Sequence, residues 1–280
     1  LAGIGMLLGL AVYMYGQKYL THVGNYIGAS INEEERAASK RPLSKIEKDR
    51  VGVLFISFLL VIVFWGAFEQ AGGLMSIYTA DNTNRFLMGF EIPASVFQSI
   101  NAMFIIFFGT SIALFWANRK LKGKVSSSLF KMIVGLIIMG AGFFFMTGAT
   151  IQFENTGESA MYWLVFAYLF HTIGELCLSP VALSFITKLA PLKYASIMMG
   201  VYFVMTGFGS KLAGLLGEWS ESLGEFKIFT GIAIFCVVFG MLMLLLRKQL
   251  EKLTHGVEDR EGLSHEEAEG FEIADVSNPE

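Results

Sequence analysis

Only two cysteines occur in 280 residues, Cys177 and Cys236, and both fall inside apolar runs. They give no disulfide framework and no metal knuckle. Charge is scarce as well: Asp, Glu, Lys and Arg make up 16% of the chain, against about 25% in a soluble domain. A Gly-rich phosphate loop, a basic groove with interleaved aromatics and a complete zinc-ligand motif are all missing from the sequence. Nothing therefore points to a nucleic-acid partner, a metal or a bound cofactor. The apolar start, 1–15, lacks the basic flank and cleavage site of a signal peptide. It reads as the end of a truncated transmembrane helix.

What the chain has is apolar length. Hydrophobic residues make up 54% and the mean hydropathy is +0.56. They gather in runs of the ~20 residues that span a bilayer. The runs do not alternate, which excludes a transmembrane β-barrel. Seven segments stand out: 1–20, 50–79, 94–117, 129–150, 160–187, 194–217 and 228–247. The connections sort by charge. Segments 21–49, 118–128 and 188–193 and the opening of the tail are rich in Lys and Arg, whereas the alternate loops carry Arg85, none, and Lys227. Basic residues favour the cytoplasmic side, so the last six helices are expected to start and end there. Residues 21–49 read as a cytoplasmic linker, with a short surface helix in 30–50. Residues 50–250 read as a six-helix bundle, and the acidic stretch 251–280 as a disordered cytoplasmic tail.

Within these runs a few polar residues stand out. Glu175 lies near the middle of the apolar stretch 161–186. A charge at that depth costs several kcal/mol unless it faces water, protein or a ligand. Pro180 removes a helix hydrogen bond five residues on, so a break is expected beside the acid. Glu69 precedes Gly72-Gly73 in the first complete helix, 18 residues or ~27 Å of rise after Val51, in the outer half. The six helices form two triplets, each opening on a helix with an acid beside Gly or Pro. Interrupted helices at matching places point to a binding site. His171 shares a helix face with Glu175 but has no third metal ligand in view; a hydrogen-bonded interhelical or pore histidine is expected. Lys211 reads as snorkelling to the outer interface. Asn101 reads as bridging helices. The glycines at 135, 140 and 142 allow close packing.

Three stretches resemble a known family. Phe64-Trp65-Gly66-Ala67-Phe68-Glu69-Gln70-Ala71-Gly72 resembles the seventh helix of the proton-dependent oligopeptide transporters. The run Phe97-Gln98-Ser99-Ile100-Asn101 resembles their eighth helix, and Gly174-Glu175-Leu176-Cys177-Leu178-Ser179-Pro180-Val181, on to Lys188-Leu189-Ala190-Pro191, their tenth. The resemblance implies an all-α membrane protein: the C-terminal six-helix bundle of a major facilitator superfamily transporter, plus the end of the preceding helix. It implies a transporter, not an enzyme, moving di- and tripeptides with protons as the coupling ion. Glu175 would hold the peptide amino terminus, helped by Asn101. Ser179 would line the pocket, with Tyr202 where the family often has Trp. Glu69 would be the proton-coupling site. Ala102 and Ala182 replace the usual Pro and Gly, and 21–49 is too short for the two extra helices of many bacterial members. The implied partner is the N-terminal six-helix bundle of the same transporter, with its proton motif and carboxylate-binding residues. The alternative is a related facilitator for another small amine-bearing or anionic solute. A retinal protein or receptor fits poorly, since the mid-span Lys is not in the last helix. An intramembrane hydrolase would need paired Asp residues or a nucleophile with its base.

Overall fold

The computed structural model describes residues 2–16, 42–191 and 194–257. A first unit, Leu1–Leu43, contains helix α1, Ala2–Gly16. The second unit begins at Ser44 and holds the rest of the described chain. Its helices are α2 (Lys45–Phe68), α3 (Leu74–Asn82), α4 (Ala94–Leu121), α5 (Ser128–Thr156), α6 (Met161–Leu189), α7 (Ala195–Leu223) and α8 (Glu225–Lys252). Counting α2 and α3 as one interrupted span, six helices among the described residues are long and apolar enough to cross a membrane. In lipid every backbone polar group must be satisfied internally, which is why these runs fold as helices.

Most ends are set locally. Ser44 caps α2 through a capping box: its hydroxyl accepts from Glu47 N at 3.2 Å, and the Glu47 carboxylate accepts from Ser44 N at 2.8 Å. The last residues of the expected linker are thus the first turn of a span, not a connection. The short surface helix expected in 30–50 lies for the most part outside the described residues. Ser127 caps α5 by accepting from Phe130 N, and Gly157, at φ 83°, ends that helix.

The tail expectation is corrected at its start. Helix α8 runs to Lys252, and the turns after it reach Val257. Thr254 is buried, its carbonyl accepting from Arg50 Nε at 3.2 Å, and His255 meets Asp49 at 2.9 Å. Packing against the start of α2 holds this stretch. The remainder, 258–280, lies outside the described residues.

Helices α5, α6 and α8 form the densest packing, because glycine lets backbones touch. A Cβ at Gly174 of α6 would sit 2.7 Å from the Gly135 carbonyl oxygen of α5, and one at Gly135 would sit 2.7 Å from Gly174 O. This is the small-residue contact that packs helices in lipid, where apolar surface alone gives no driving force. Helix α2 meets α7 in the same way, Gly66 against Gly209 and Leu212. Two helices stay largely uncovered: α4 buries only Phe97 and Trp116, and α7 only Met198, Tyr202 and Gly209.

At the ends joined by α3, short strands tie the loops. β1 (Thr83–Asn84) pairs in parallel with β4 (Ser159–Ala160), and β2 (Phe86–Leu87) forms a hairpin with β3 (Phe90–Glu91). The Arg85–Glu91 ion pair, 2.6 Å, closes the hairpin base.

Candidate functional site

The α2–α3 interruption positions the first candidate. Glu69–Ala71 form one 3-10 turn after α2, and Glu69 O accepts from both Gly72 N and Gly73 N at 3.2 Å. Gly73, with ψ −109°, then redirects the chain. Glu69 sits at the start of this turn with an exposed side chain. Its neighbour Gln70 is buried and donates through Nε2 to Ala213 O of α7 at 3.1 Å and to Gly66 O at 3.3 Å.

The second interruption expected from the sequence is not there. α6 continues through Pro180 to Leu189 as one helix. Proline removes one donor, and the turn around it keeps its course. The matching pair of breaks is therefore a single break, in the first triplet.

Glu175 projects from the middle of α6 and is half-buried. Asn101 Nδ2 of α4 donates to Glu175 Oε2 at 3.1 Å. Thr172 shares its one hydroxyl proton between Tyr168 O, 2.7 Å away, and Asn101 Oδ1, 3.3 Å away. Asn101 thus faces a carboxylate with its donor and a hydroxyl with its acceptor, which fixes the amide's orientation. A carboxylate with one amide donor keeps acceptor capacity for a cation. Ser179 follows Glu175 by one helical turn, on the same face, and is half-buried. The buried Tyr202 of α7 places its hydroxyl beside Ser179 and Trp65. The structure thus groups Asn101 with Glu175, and Ser179 with Tyr202, while Glu69 stands apart on the 3-10 turn. A separate cavity of about 380 Å³, lined by Asn84, Gln152 and Glu158 among others, does not include Glu175.

Three residues around the site escape sequence reasoning. Thr172 and Tyr168 are ordinary residues of an apolar helix, and only their partners distinguish them. Trp65 carries a buried Nε1 beside the Tyr202 hydroxyl. Its place in the Trp-Gly-Ala-Phe-Glu run was the available signal.

His171 departs from expectation. It is 1% exposed, and neither ring nitrogen has a hydrogen-bond partner among the described residues. Its ring packs on Phe143, with centroids 4.4 Å apart, in the space left by Gly142. It is interhelical but not hydrogen-bonded, because the surrounding faces of α5 and α6 are apolar. An unpaired buried polar group costs about 1–3 kcal/mol. His171→Leu is therefore expected to leave thermal stability unchanged or raise it; a clear fall in the unfolding midpoint would contradict this. Lys211 is exposed on α7. Cys177 and Cys236 are buried free thiols.

Apolar spans enclosing a carboxylate–amide pair define a polytopic helical membrane protein with ionisable chemistry inside its bundle. Residues 31–222 match the sequence model of the POT family (PTR2). The chain belongs to that family. It is 33% identical over 224 residues to the peptide transporter YePEPT of Yersinia enterocolitica subsp. palearctica, covering 78% of this chain and 44% of the relative. It is 28% identical over 200 residues to the di-/tripeptide transporter of Lactococcus lactis subsp. cremoris, covering 70% and 40%. The chain spans less than half the length of these curated relatives. Among solved structures, it matches a POT family transporter in complex with a thioalcohol-conjugated peptide at TM-score 0.69 and 22% identity, covering 88% of this chain and 53% of that one. A mutant of the peptide transporter POT in complex with alafosfalin matches at TM-score 0.74 and 23% identity, with 90% and 60% covered. The fold is that of these POT family structures.

Proposed function

We propose that the full-length protein is a proton-coupled symporter of di- and tripeptides, and that this chain supplies its C-terminal half. The Asn101–Glu175 pair carries the reading: a half-buried carboxylate, oriented by one amide, is what a peptide ammonium needs inside a membrane. The names of the relatives support peptides as the substrate class. Ser179 and Tyr202 line the same site, with the Trp65 indole beside Tyr202. The uncovered helices α4 and α7 receive the N-terminal bundle, and substrate binds between the halves, which rock to alternate access. Protons are the only coupling ion, and no cofactor takes part. Glu69 sits at a helix interruption, where a small change in turn geometry gates the cavity. The Lys- and Arg-rich loops 21–49, 118–128 and 188–193 and the tail 251–280 face the cytoplasm, in a multi-pass arrangement in the cell's inner membrane.

The test uses full-length protein in liposomes under an inward proton gradient. Dipeptide uptake is expected to follow the gradient. Glu69→Gln is expected to lose accumulation at least tenfold and to keep counterflow exchange. Absence of uptake for every dipeptide tried would move the substrate elsewhere.

A further inference from the structure

The turn that carries Glu69 and the helix that carries Glu175 are joined by a part-buried hydrogen bond. Tyr168 of α6, 1% exposed, donates through its hydroxyl to Ala71 O at 3.3 Å. Ala71 is the last residue of the 3-10 turn that Glu69 opens. The turn's other lateral anchor is the Gln70 side chain on Ala213 O of α7. Tyr168 lies seven residues before Glu175, two turns or about 10.5 Å along one continuous helix. Its own carbonyl accepts from Thr172, whose hydroxyl also meets Asn101 Oδ1. A series of contacts therefore runs from the broken span through α6 to the Asn101–Glu175 pair.

From this geometry we infer that Tyr168 is a positioning residue that registers the Glu69 turn against the Glu175 site. The inference rests on the symporter reading above and deepens it. The bond is a single hydroxyl on a backbone carbonyl at a helix break, so it survives only one arrangement of the turn relative to α6. Rotation of α2 about its break lengthens it and frees Ala71 O. A change at Glu69 then reaches Glu175 as a displacement of α6, and the same linkage runs in reverse. Tyr168 touches neither proton nor substrate. Its role is to make the two sites move together. The bulk of the ring stays in the core without the hydroxyl, so the link can be removed without opening a cavity.

The experiment compares Tyr168→Phe, Glu69→Gln and the double variant in full-length protein, each for proton-driven accumulation, counterflow exchange and thermal unfolding. Tyr168→Phe is expected to keep the unfolding midpoint and the half-saturation of counterflow, and to lose accumulation severalfold. The double variant is expected to be no worse than Glu69→Gln, because both act on one linkage. Tyr168→Phe with wild-type accumulation beside an uncoupled Glu69→Gln overturns the link alone and leaves the symporter reading standing. Accumulation intact in both single variants overturns the link together with the role of Glu69. Equal loss of counterflow and accumulation, with a lowered unfolding midpoint, makes Tyr168 a packing residue and overturns the inference too.

Discussion

Glu175→Gln in the full-length protein is expected to weaken dipeptide binding about tenfold to a hundredfold and to abolish concentrative uptake. The substitution keeps size and one acceptor oxygen. Asn101 Nδ2, which donates to Glu175 Oε2 at 3.1 Å, retains a partner. What disappears is the negative charge that the proposed function assigns to a peptide ammonium. Hydrogen bonds to charged groups contribute about 1.5–3 kcal/mol, and each ~1.4 kcal/mol is tenfold in affinity. Fluorescence or calorimetric titration with a dipeptide measures the loss. A dipeptide with a blocked amino terminus serves as the comparison: it binds weakly to wild type and loses nothing further in the variant. Wild-type affinity in Glu175→Gln would remove the carboxylate from the site.

The second large effect is expected from Gly174→Ala, next to that acid. Its new methyl would meet Gly135 O at 2.7 Å and both the Cβ and the backbone nitrogen of Met139 at 3.2 Å. Two of these three atoms belong to the backbone of α5, so no side-chain rotation relieves the contact. Overpacking of this kind costs about 1–3 kcal/mol. α5 and α6 must separate, and Glu175 shifts with α6 relative to Asn101 on α4. A shift of about 1 Å in a positioned group can cost a hundredfold in function. Uptake is expected to fall more steeply than stability, read as initial rate and unfolding midpoint on the same preparation. Gly52→Ala is the control, since a Cβ there meets nothing within 4 Å. Equal behaviour of the two variants would show that the close approach at Gly174 has no bearing on the site.

Glu175, Glu69 and Asn101 can be singled out in the sequence because each is a polar residue in an apolar run. The partners that give them geometry cannot. Asn101 and Glu175 are 74 residues apart, Tyr168 and Ala71 97, Gln70 and Ala213 143. Nor does the pattern show which side of a helix points inward, since α6 is apolar on nearly every side. Local rules also misled at Pro180 and His171. A proline costs a hydrogen bond, yet α6 runs through it. A buried histidine is expected to find a partner, yet His171 packs against Phe143 with neither nitrogen bonded among the described residues.

The sequence by itself determined the number of described spans, their helical form, the sorting of basic loops and the presence of an acid within an apolar span. Each follows from the transfer of single residues between water and lipid, which needs no knowledge of neighbours. The tertiary structure alone decided which polar residues meet, where the one interruption lies and what anchors it. Those depend on how far each helix is rotated and how closely two backbones approach. Contacts such as Gly135 with Gly174 and Gly66 with Gly209 bear on both, and they join residues on different helices.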